Sequence, residues 1–176
     1  MQPGLLTKHL HMVGVGASAG GLEAMGELFS KLLPSGRVAY VIAQHMAKDG
    51  HSELVARMLN KQSPLPVVEA TGGDLLEPDK VYLMPSGYDG EVKNGRIYLL
   101  PPSPEHLSTP SVNFLFASIA REYGKRSIGI ILSGAGSDGA AGCRAIKTGG
   151  GRTIVQTPQS AQYSGMPLAV MKAGAA

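Results

Sequence analysis

Three side chains that could together hydrolyse an ester each lie just beyond a segment predicted to be a buried strand. They are Ser18, His45 and Asp138. A serine hydroxyl, an imidazole that removes its proton and a carboxylate that orients the imidazole form the triad of many hydrolases, whatever their order along the chain. The sequence therefore predicts Ser18 as nucleophile, His45 as general base and Asp138 as the carboxylate partner of the base.

The predicted nucleophile lies in a Gly-x-Ser-x-Gly pattern, which Ser18 forms with Gly16 and Gly20. Glycines at these two positions leave room for a sharp strand-to-helix turn that lifts the hydroxyl to the N-terminus of a helix. Free amides and the helix dipole at that end stabilise developing negative charge. The order Ser, His, Asp differs from the Ser, Asp, His order of α/β-hydrolases, so the pattern alone does not assign the chain to that fold.

Each member of the predicted triad also has an ordinary structural interpretation. A serine before a helix is usually an N-cap, and Asp138 would serve the same purpose for a helix that begins at Gly139. A lone histidine is more often a half-buried, hydrogen-bonded imidazole than a base. Taken together, these interpretations require a coincidence, because one Ser, one His and one Asp end three separate strands.

The first loop also has part of the pattern of a nucleotide-binding loop. Gly14 and Gly16 supply two glycines of a dinucleotide-binding turn, but Ala19-Gly20 stands where the third glycine is needed, and the second strand ends in neutral Gln44 instead of an acid. The Lys-Ser/Thr pair of a P-loop is missing. A domain that binds NAD or ATP independently of Ser18 is kept as an alternative.

A metal site is a further alternative, because His45, Asp49, His51 and Glu53 lie close together in the sequence. Their spacing does not suit shared coordination, since His51 and Glu53 are two residues apart and face different sides of any helix. The single cysteine, Cys143, excludes an internal disulfide and any zinc site built on cysteines. We therefore predict no metal and no cofactor.

The segments around the predicted triad alternate between strand and helix. Strands are predicted over residues 10–16, 37–44, 127–132 and 153–156, and helices over residues 20–33, 52–61, 111–123, 139–147 and 167–172. Between residues 64 and 110 short β-rich runs alternate with turns, and Asn94-Gly95 is typical of a hairpin. We predict an α/β fold: a doubly wound, mainly parallel sheet in a Rossmann-like three-layer arrangement, with an inserted antiparallel hairpin. Sites in such sheets lie beyond the carboxyl ends of the strands.

Length and composition limit the class of protein. With 176 residues and a prior of about one domain per 150 residues, residues 1–176 are expected to form a single domain. The 16 cationic and 13 acidic residues leave a net charge of +3 that is spread along the chain, which argues against a nucleic-acid partner. No apolar run approaches about 18 residues, so no membrane insertion is predicted, and we expect a cytoplasmic protein.

Four segments, VGVGASAGGLEA, AQHM, ILSGAGSDGAAG and SGMP, occur in this order from Val13 towards the C-terminus. In combination they resemble the catalytic domain of CheB-type chemoreceptor glutamate methylesterases. The resemblance implies a doubly wound parallel sheet and a Ser-His-Asp triad at Ser18, His45 and Asp138. It also implies the reaction, which is hydrolysis of γ-glutamyl methyl esters on methyl-accepting chemotaxis receptors, often with deamidation of receptor glutamines.

The resemblance extends to the oxyanion and substrate loops and to partners. It implies that the backbone around Ala19 and Gly20, and around Ala135 and Gly136, holds the oxyanion and the substrate. Many family members have threonine and methionine at the positions of Ala19 and Ala135, so the rate or the choice of receptor is expected to differ if those side chains tune them. The implied partners are chemoreceptor helices.

The GASAGG and SGAGSDG forms are most similar to methylesterase domains fused to a methyltransferase module. That similarity leaves open that the chain is a domain cut from a longer multidomain protein. The alternative to an active enzyme is a non-catalytic sensor or docking domain that retains the methylesterase fold.

Overall fold

A six-stranded parallel sheet forms the centre of the protein. The computed structural model describes residues 9–176, so the predicted domain of residues 1–176 begins eight residues before the described range. In chain order the elements are β1 (His11–Ala17), α1 (Gly21–Phe29), β2 (Val38–Gln44), α2 (Ser52–Gln62), β3 (Val67–Glu69), β4 (Val81–Leu83), β5 (Asp89–Lys93), β6 (Arg96–Leu100), α3 (Val112–Tyr123), β7 (Ser127–Ile131), α4 (Ala140–Thr148), β8 (Arg152–Val155) and α5 (Gly165–Lys172). The strand order in the sheet is β3-β4-β2-β1-β7-β8.

Helices cover both faces of this sheet and create two hydrophobic cores. On one face, Phe116 of α3 and Ile146 of α4 pack in one core with residues such as Met12 of β1. On the other face, α1 and α2 pack against residues that alternate with these, such as Val15 of β1. Strands buried on both faces need nearly continuous apolar sequences, which is what residues 37–44 display. The predicted doubly wound α/β fold is confirmed.

The order of the strands reverses between β1 and β7. From β1 the chain moves to β2 and then to the edge strand β3, comes back to β4 between β3 and β2, and crosses through α3 to β7 and β8 on the opposite side. Loops that follow two such neighbouring strands diverge, and the crevice between them is the usual site of function in α/β sheets. Ser18 follows β1 and Asp138 lies in the loop after β7, so the topology brings these two loops together.

The inserted antiparallel hairpin is also confirmed. β5 and β6 pair with each other, and Asn94 and Gly95 in the turn have positive φ angles of 51° and 72°. A two-residue turn with both φ angles positive matches the twist of a hairpin, and Asn-Gly adopts it with little strain. The hairpin packs on α3, where the Val92 amide donates a hydrogen bond of 2.9 Å to Ser118 Oγ.

The predicted end of the first helix is wrong by four residues. α1 ends at Phe29 and not at Leu33. The amides of Lys31 and Leu32 donate to carbonyls three residues back, which tightens the last turn, and Leu33 is 78% exposed. Leu33 therefore does not continue the apolar face that Leu28 and Phe29 suggest.

No helix within residues 9–176 is both long and apolar enough to cross a membrane.

Candidate active site

Ser18 occupies a sharp turn between β1 and α1. Its amide donates to Ser133 O at 3.0 Å, and its carbonyl accepts from Gly21 N at 2.9 Å. Gly20, with a φ of 72°, is the N-cap of α1 and makes no side-chain cap bond. The left-handed backbone there favours glycine, as the Gly-x-Ser-x-Gly pattern anticipates. The N-cap of α1 is thus Gly20, and the interpretation of Ser18 as an N-cap is wrong.

His45 continues the pairing of β2 with β1. Ala17 lies opposite Gln44 in the parallel register, and the His45 amide donates to Ala17 O at 2.9 Å. Ser18 and His45 therefore occupy neighbouring positions where the two strands end. Since side chains alternate along a strand, the pattern of β1 and β2 directs both towards the face covered by α3.

The imidazole of His45 is held by Asp138. His45 Nε2 lies 2.7 Å from Asp138 Oδ2, and the two side chains are only 11% and 13% exposed. His45 Nδ1 makes no hydrogen bond within residues 9–176, and neither does Ser18 Oγ. Catalytic hydrogen bonds in unliganded enzymes are often long and tighten only around substrate. With Nε2 engaged, Nδ1 is the nitrogen of His45 that is available to take a proton.

The first turn of α3 surrounds the Asp138 carboxylate with donors. Asp138 Oδ2 also accepts from Val112 N at 2.8 Å, and Oδ1 accepts from Asn113 N at 2.9 Å. Burial on its own raises the pKa of Asp138, but the hydrogen bonds from His45 and these two amides outweigh it and lower the pKa below its ordinary value. The carboxylate is therefore held ionised, as a group that orients a histidine must be.

The prediction that Asp138 would cap the helix beginning at Gly139 is wrong, because its carboxylate caps α3 instead. The start of α4 is capped by Asn113, whose Oδ1 accepts from Gly139 N at 2.9 Å and Gly142 N at 2.8 Å. Asn113 of α3 thus caps α4, and Asp138 in the loop before α4 accepts from the first amides of α3. The physical reason is that the loop after β7 folds over the start of α3. Asp138 therefore contacts Val112 and Asn113, which precede it by 26 and 25 positions in the sequence.

The predicted oxyanion and substrate residues form two loops beside Ser18. The amides of Ala19, Gly20, Ala135 and Gly136 donate no hydrogen bond to any residue in the described range. Gly134 allows the second loop to approach Ser18, since a Cβ at Gly134 would lie 2.9 Å from Ser18 Cβ and would collide with Met166 Sδ. Met166 N in turn donates to Gly134 O at 2.9 Å, which braces that loop from α5.

Each member of the predicted triad lines an open cleft. Ser18 and Gln44 line a groove of about 760 Å³ that runs along α1. His45 lines a second cleft, together with Lys48 and residues 107–109. Asp138 lines a third cleft with Ala135, Gly136 and His106.

The metal-site alternative finds no support in the described part of the chain. No group of three or more potential ligand side chains could hold an ion within residues 9–176. His51 and Glu53 approach each other at 3.4 Å but are 78% and 59% exposed. Cys143 is fully buried in the core, and burial raises the pKa of its thiol to about 12.

Three residues of the site were not found by sequence reasoning. Gln44 Nε2 donates to Ser18 O at 2.9 Å and to His45 O at 3.1 Å, which ties the two loops together. Asn113 caps α4, and His106, for which no partner was predicted, binds Asp89 at 2.5 Å. Gln44 had a signal, since it is a polar residue at the end of an apolar strand. The contacts of Asn113 and His106 are formed only in the tertiary structure.

Comparison with known proteins agrees on one family. A family model described as CheB methylesterase matches residues 13–176. A protein-glutamate methylesterase/protein-glutamine glutaminase of Trichodesmium erythraeum is 37% identical over 176 residues, which cover 98% of this chain and 50% of that protein. One of the same name from Moorella thermoacetica is 39% identical over 175 residues, which cover 95% of this chain and 40% of that protein. This chain therefore spans about half the length of these curated relatives, or less.

A solved structure matches the fold over nearly its whole length. The crystal structure of the Thermotoga maritima CheB methylesterase catalytic domain superimposes with a TM-score of 0.87 and 28% sequence identity. The match covers 95% of this chain and 90% of the other.

Proposed function

The chain belongs to the CheB methylesterase family, and on this premise we propose that it is a serine hydrolase that removes methyl esters from glutamyl side chains of chemotaxis receptors. The observation that carries the proposal is the partly buried hydrogen bond of 2.7 Å between His45 and Asp138, next to the strand-end turn of Ser18. A buried carboxylate that fixes one nitrogen of a histidine leaves the other nitrogen as a base. The names of the relatives further support deamidation of receptor glutamines as a second reaction.

In the proposed reaction Ser18 Oγ attacks the side-chain carbonyl carbon of the ester. Its proton passes to His45 Nδ1, and the imidazolium is stabilised by the Asp138 carboxylate. When the tetrahedral intermediate collapses, the bond to the methoxy oxygen breaks and His45 returns the proton, so that methanol leaves. Water then attacks the acyl-enzyme, again giving a proton to His45, and glutamate is released with the Ser18 hydroxyl restored.

The oxyanion of each tetrahedral intermediate needs donors that are not already occupied. The amides of Ala19, Gly20, Ala135 and Gly136 meet this requirement and are proposed as its ligands. Only the amides that lie within hydrogen-bonding distance of the developing charge would contribute to the rate.

The proposed substrate partner is an exposed receptor helix that carries Glu and Gln. The cleft lined by His45 with residues 107–109 and the cleft lined by Asp138 with Ala135 and Gly136 offer such a segment a place to bind beside the triad. A fused or associated methyltransferase module, a cytoplasmic location and the extent of the domain over residues 1–176 remain predictions from the sequence. These three predictions concern properties other than the fold and the geometry of the site.

The proposal is tested by methanol release from a methyl-esterified chemoreceptor fragment. Ser18→Ala removes the nucleophile and is expected to lower the rate by several orders of magnitude, since triad residues act as a unit. Ser35→Ala, an exposed serine before β2 at the end of that strand opposite His45, is the matched control and is expected to keep the wild-type rate. Equal release by Ser18→Ala and wild type would refute the serine mechanism. Folded wild-type protein that releases no methanol would favour a docking domain.

A further inference from the structure

A second histidine–aspartate pair lies on the other side of the start of α3. Asp89, the first residue of β5, is 1% exposed, and its Oδ2 lies 2.5 Å from His106 Nδ1. His106 also packs on Phe114, with ring centroids 5.4 Å apart. A carboxylate this deeply buried is stable only when donors satisfy it. The mechanism proposed above uses neither member of this pair.

Asp89 and Asp138 together bind three consecutive amides. Asp89 Oδ1 accepts from Ser111 N at 2.7 Å, and Asp138 accepts from the next two amides, those of Val112 and Asn113. The first turn of α3 is therefore held between two carboxylates, one from the hairpin and one from the predicted triad. A shift of Ser111 relative to Asp89 would move the two amides that orient Asp138.

The segment that we call the strap, residues 101–110 between β6 and α3, connects Asp89 with the other side of the site. His106, in the middle of the strap, is bound to Asp89. Near its end, Thr109 O accepts a hydrogen bond of 3.2 Å from the amide of Met46, the residue that follows His45. Asp89 is thus linked to Asp138 through the first turn of α3, and to His45 through the strap.

We propose that Asp89, with His106, is a positioning residue that sets the geometry of the His45–Asp138 pair. This inference rests on the proposed function for its kinetic consequence, but its structural claim concerns the hydrogen bond between His45 and Asp138 itself. The inference also gives the inserted hairpin a role, because the hairpin brings the Asp89 carboxylate into contact with the strap and with the first turn of α3. A displacement of catalytic groups of about 1 Å can cost up to about a hundredfold in rate.

The test compares Asp89→Asn with Glu91→Gln. Asparagine keeps the shape of Asp89, but it places an NH2 donor where Asp89 has one of the two acceptor oxygens that bond Ser111 N, Ser103 N and His106. Glu91 lies on the same strand and pairs with Arg121 of α3 at 2.7 Å, remote from the strap, so its variant controls for general weakening of the hairpin. For methanol release, we expect Asp89→Asn to lower kcat by about tenfold or more with little change in KM, and Glu91→Gln to retain the wild-type kcat.

A second measurement does not depend on turnover. The proton of the His45–Asp138 hydrogen bond is followed by proton NMR in its downfield region, and it is assigned by its loss in His45→Gln. We expect this resonance to shift or broaden in Asp89→Asn and to stay unchanged in Glu91→Gln. An effect reproduced by Glu91→Gln, or an unchanged kcat and resonance in Asp89→Asn, would overturn the inference.

His106→Gln keeps the test decisive should Asp89→Asn not fold. It removes the imidazole but leaves Asp89 with the Ser111 amide, and we expect a smaller loss of kcat with the same change in the resonance. A wild-type kcat and resonance in folded His106→Gln would count against the inference. If the wild-type protein releases no methanol, the proposed function fails, while the NMR comparison still decides whether Asp89 positions His45 and Asp138.

Discussion

Asn113 and Asp138 cap each other's helices. Asn113, on α3, accepts hydrogen bonds from two amides at the start of α4, while Asp138, just before α4, accepts from the amides of Val112 and Asn113 itself. The predicted triad carboxylate is thus part of the same set of hydrogen bonds that begins two helices. Stability and the orientation of His45 are coupled at this point of the fold.

Asn113→Ala is expected to destabilise the protein. The variant leaves Gly139 N and Gly142 N without their acceptor, and loss of a helix cap costs about 1–2 kcal/mol. Urea unfolding measures the change, with Asn113→Asp, which keeps an acceptor oxygen, as the comparison. A stability of Asn113→Ala equal to that of wild type would show that the start of α4 does not depend on this cap.

Asp138→Asn is expected to lower methanol release by about four orders of magnitude, as replacement of a triad carboxylate favours the wrong histidine tautomer. Its amide oxygen can still accept from one of the α3 amides, so circular dichroism should show a folded protein. Asp79→Asn, which alters a carboxylate bound to the Ser35 and Gly36 amides far from the site, is the control. Equal rates for the two variants would remove Asp138 from the mechanism.

Stability in acid should depend on Asp138. Its pKa in the folded protein lies below the ordinary value of 3.8, so the carboxylate stabilises the fold above that pH, and the contribution is lost as pH falls through the lowered pKa. The difference in free energy of unfolding between wild type and Asp138→Asn should therefore shrink as pH falls below about 4. A difference that grows as pH falls below about 4 would contradict the lowered pKa.

Gly134→Ala should disturb the loop beside Ser18. The added Cβ would collide with Met166 Sδ and crowd Ser18 Cβ, and such overpacking costs about 1–3 kcal/mol. Thermal unfolding and methanol release should both report the change. The double variant Gly134→Ala with Met166→Ala removes the colliding sulfur. Its loss of free energy of unfolding should therefore be smaller than the sum of the losses in the two single variants. Strict additivity would mean that the two residues do not interact.

Much of the fold followed from local pattern. Apolar runs such as residues 37–44, helical spacing and the Asn94-Gly95 turn predicted a parallel sheet with an inserted hairpin, because these signals depend only on neighbouring residues. The end of α1 was missed, since Leu32 and Leu33 continue an apolar pattern in sequence although the backbone leaves the helix at Phe29. Whether a helix continues is decided by what packs against its next turn.

For the site, the sequence by itself determined which chemical groups end the strands, because carboxyl ends of parallel strands meet at one edge of a sheet. Only the tertiary structure decided which groups bind each other. His45 and Asp138 are 93 residues apart, and the amides that hold Asp138 belong to another helix 25 and 26 residues away. Likewise, Asp89 finds His106 across the hairpin and the strap. Hydrogen bonds between distant segments depend on how whole elements pack, and no local pattern of residues encodes that.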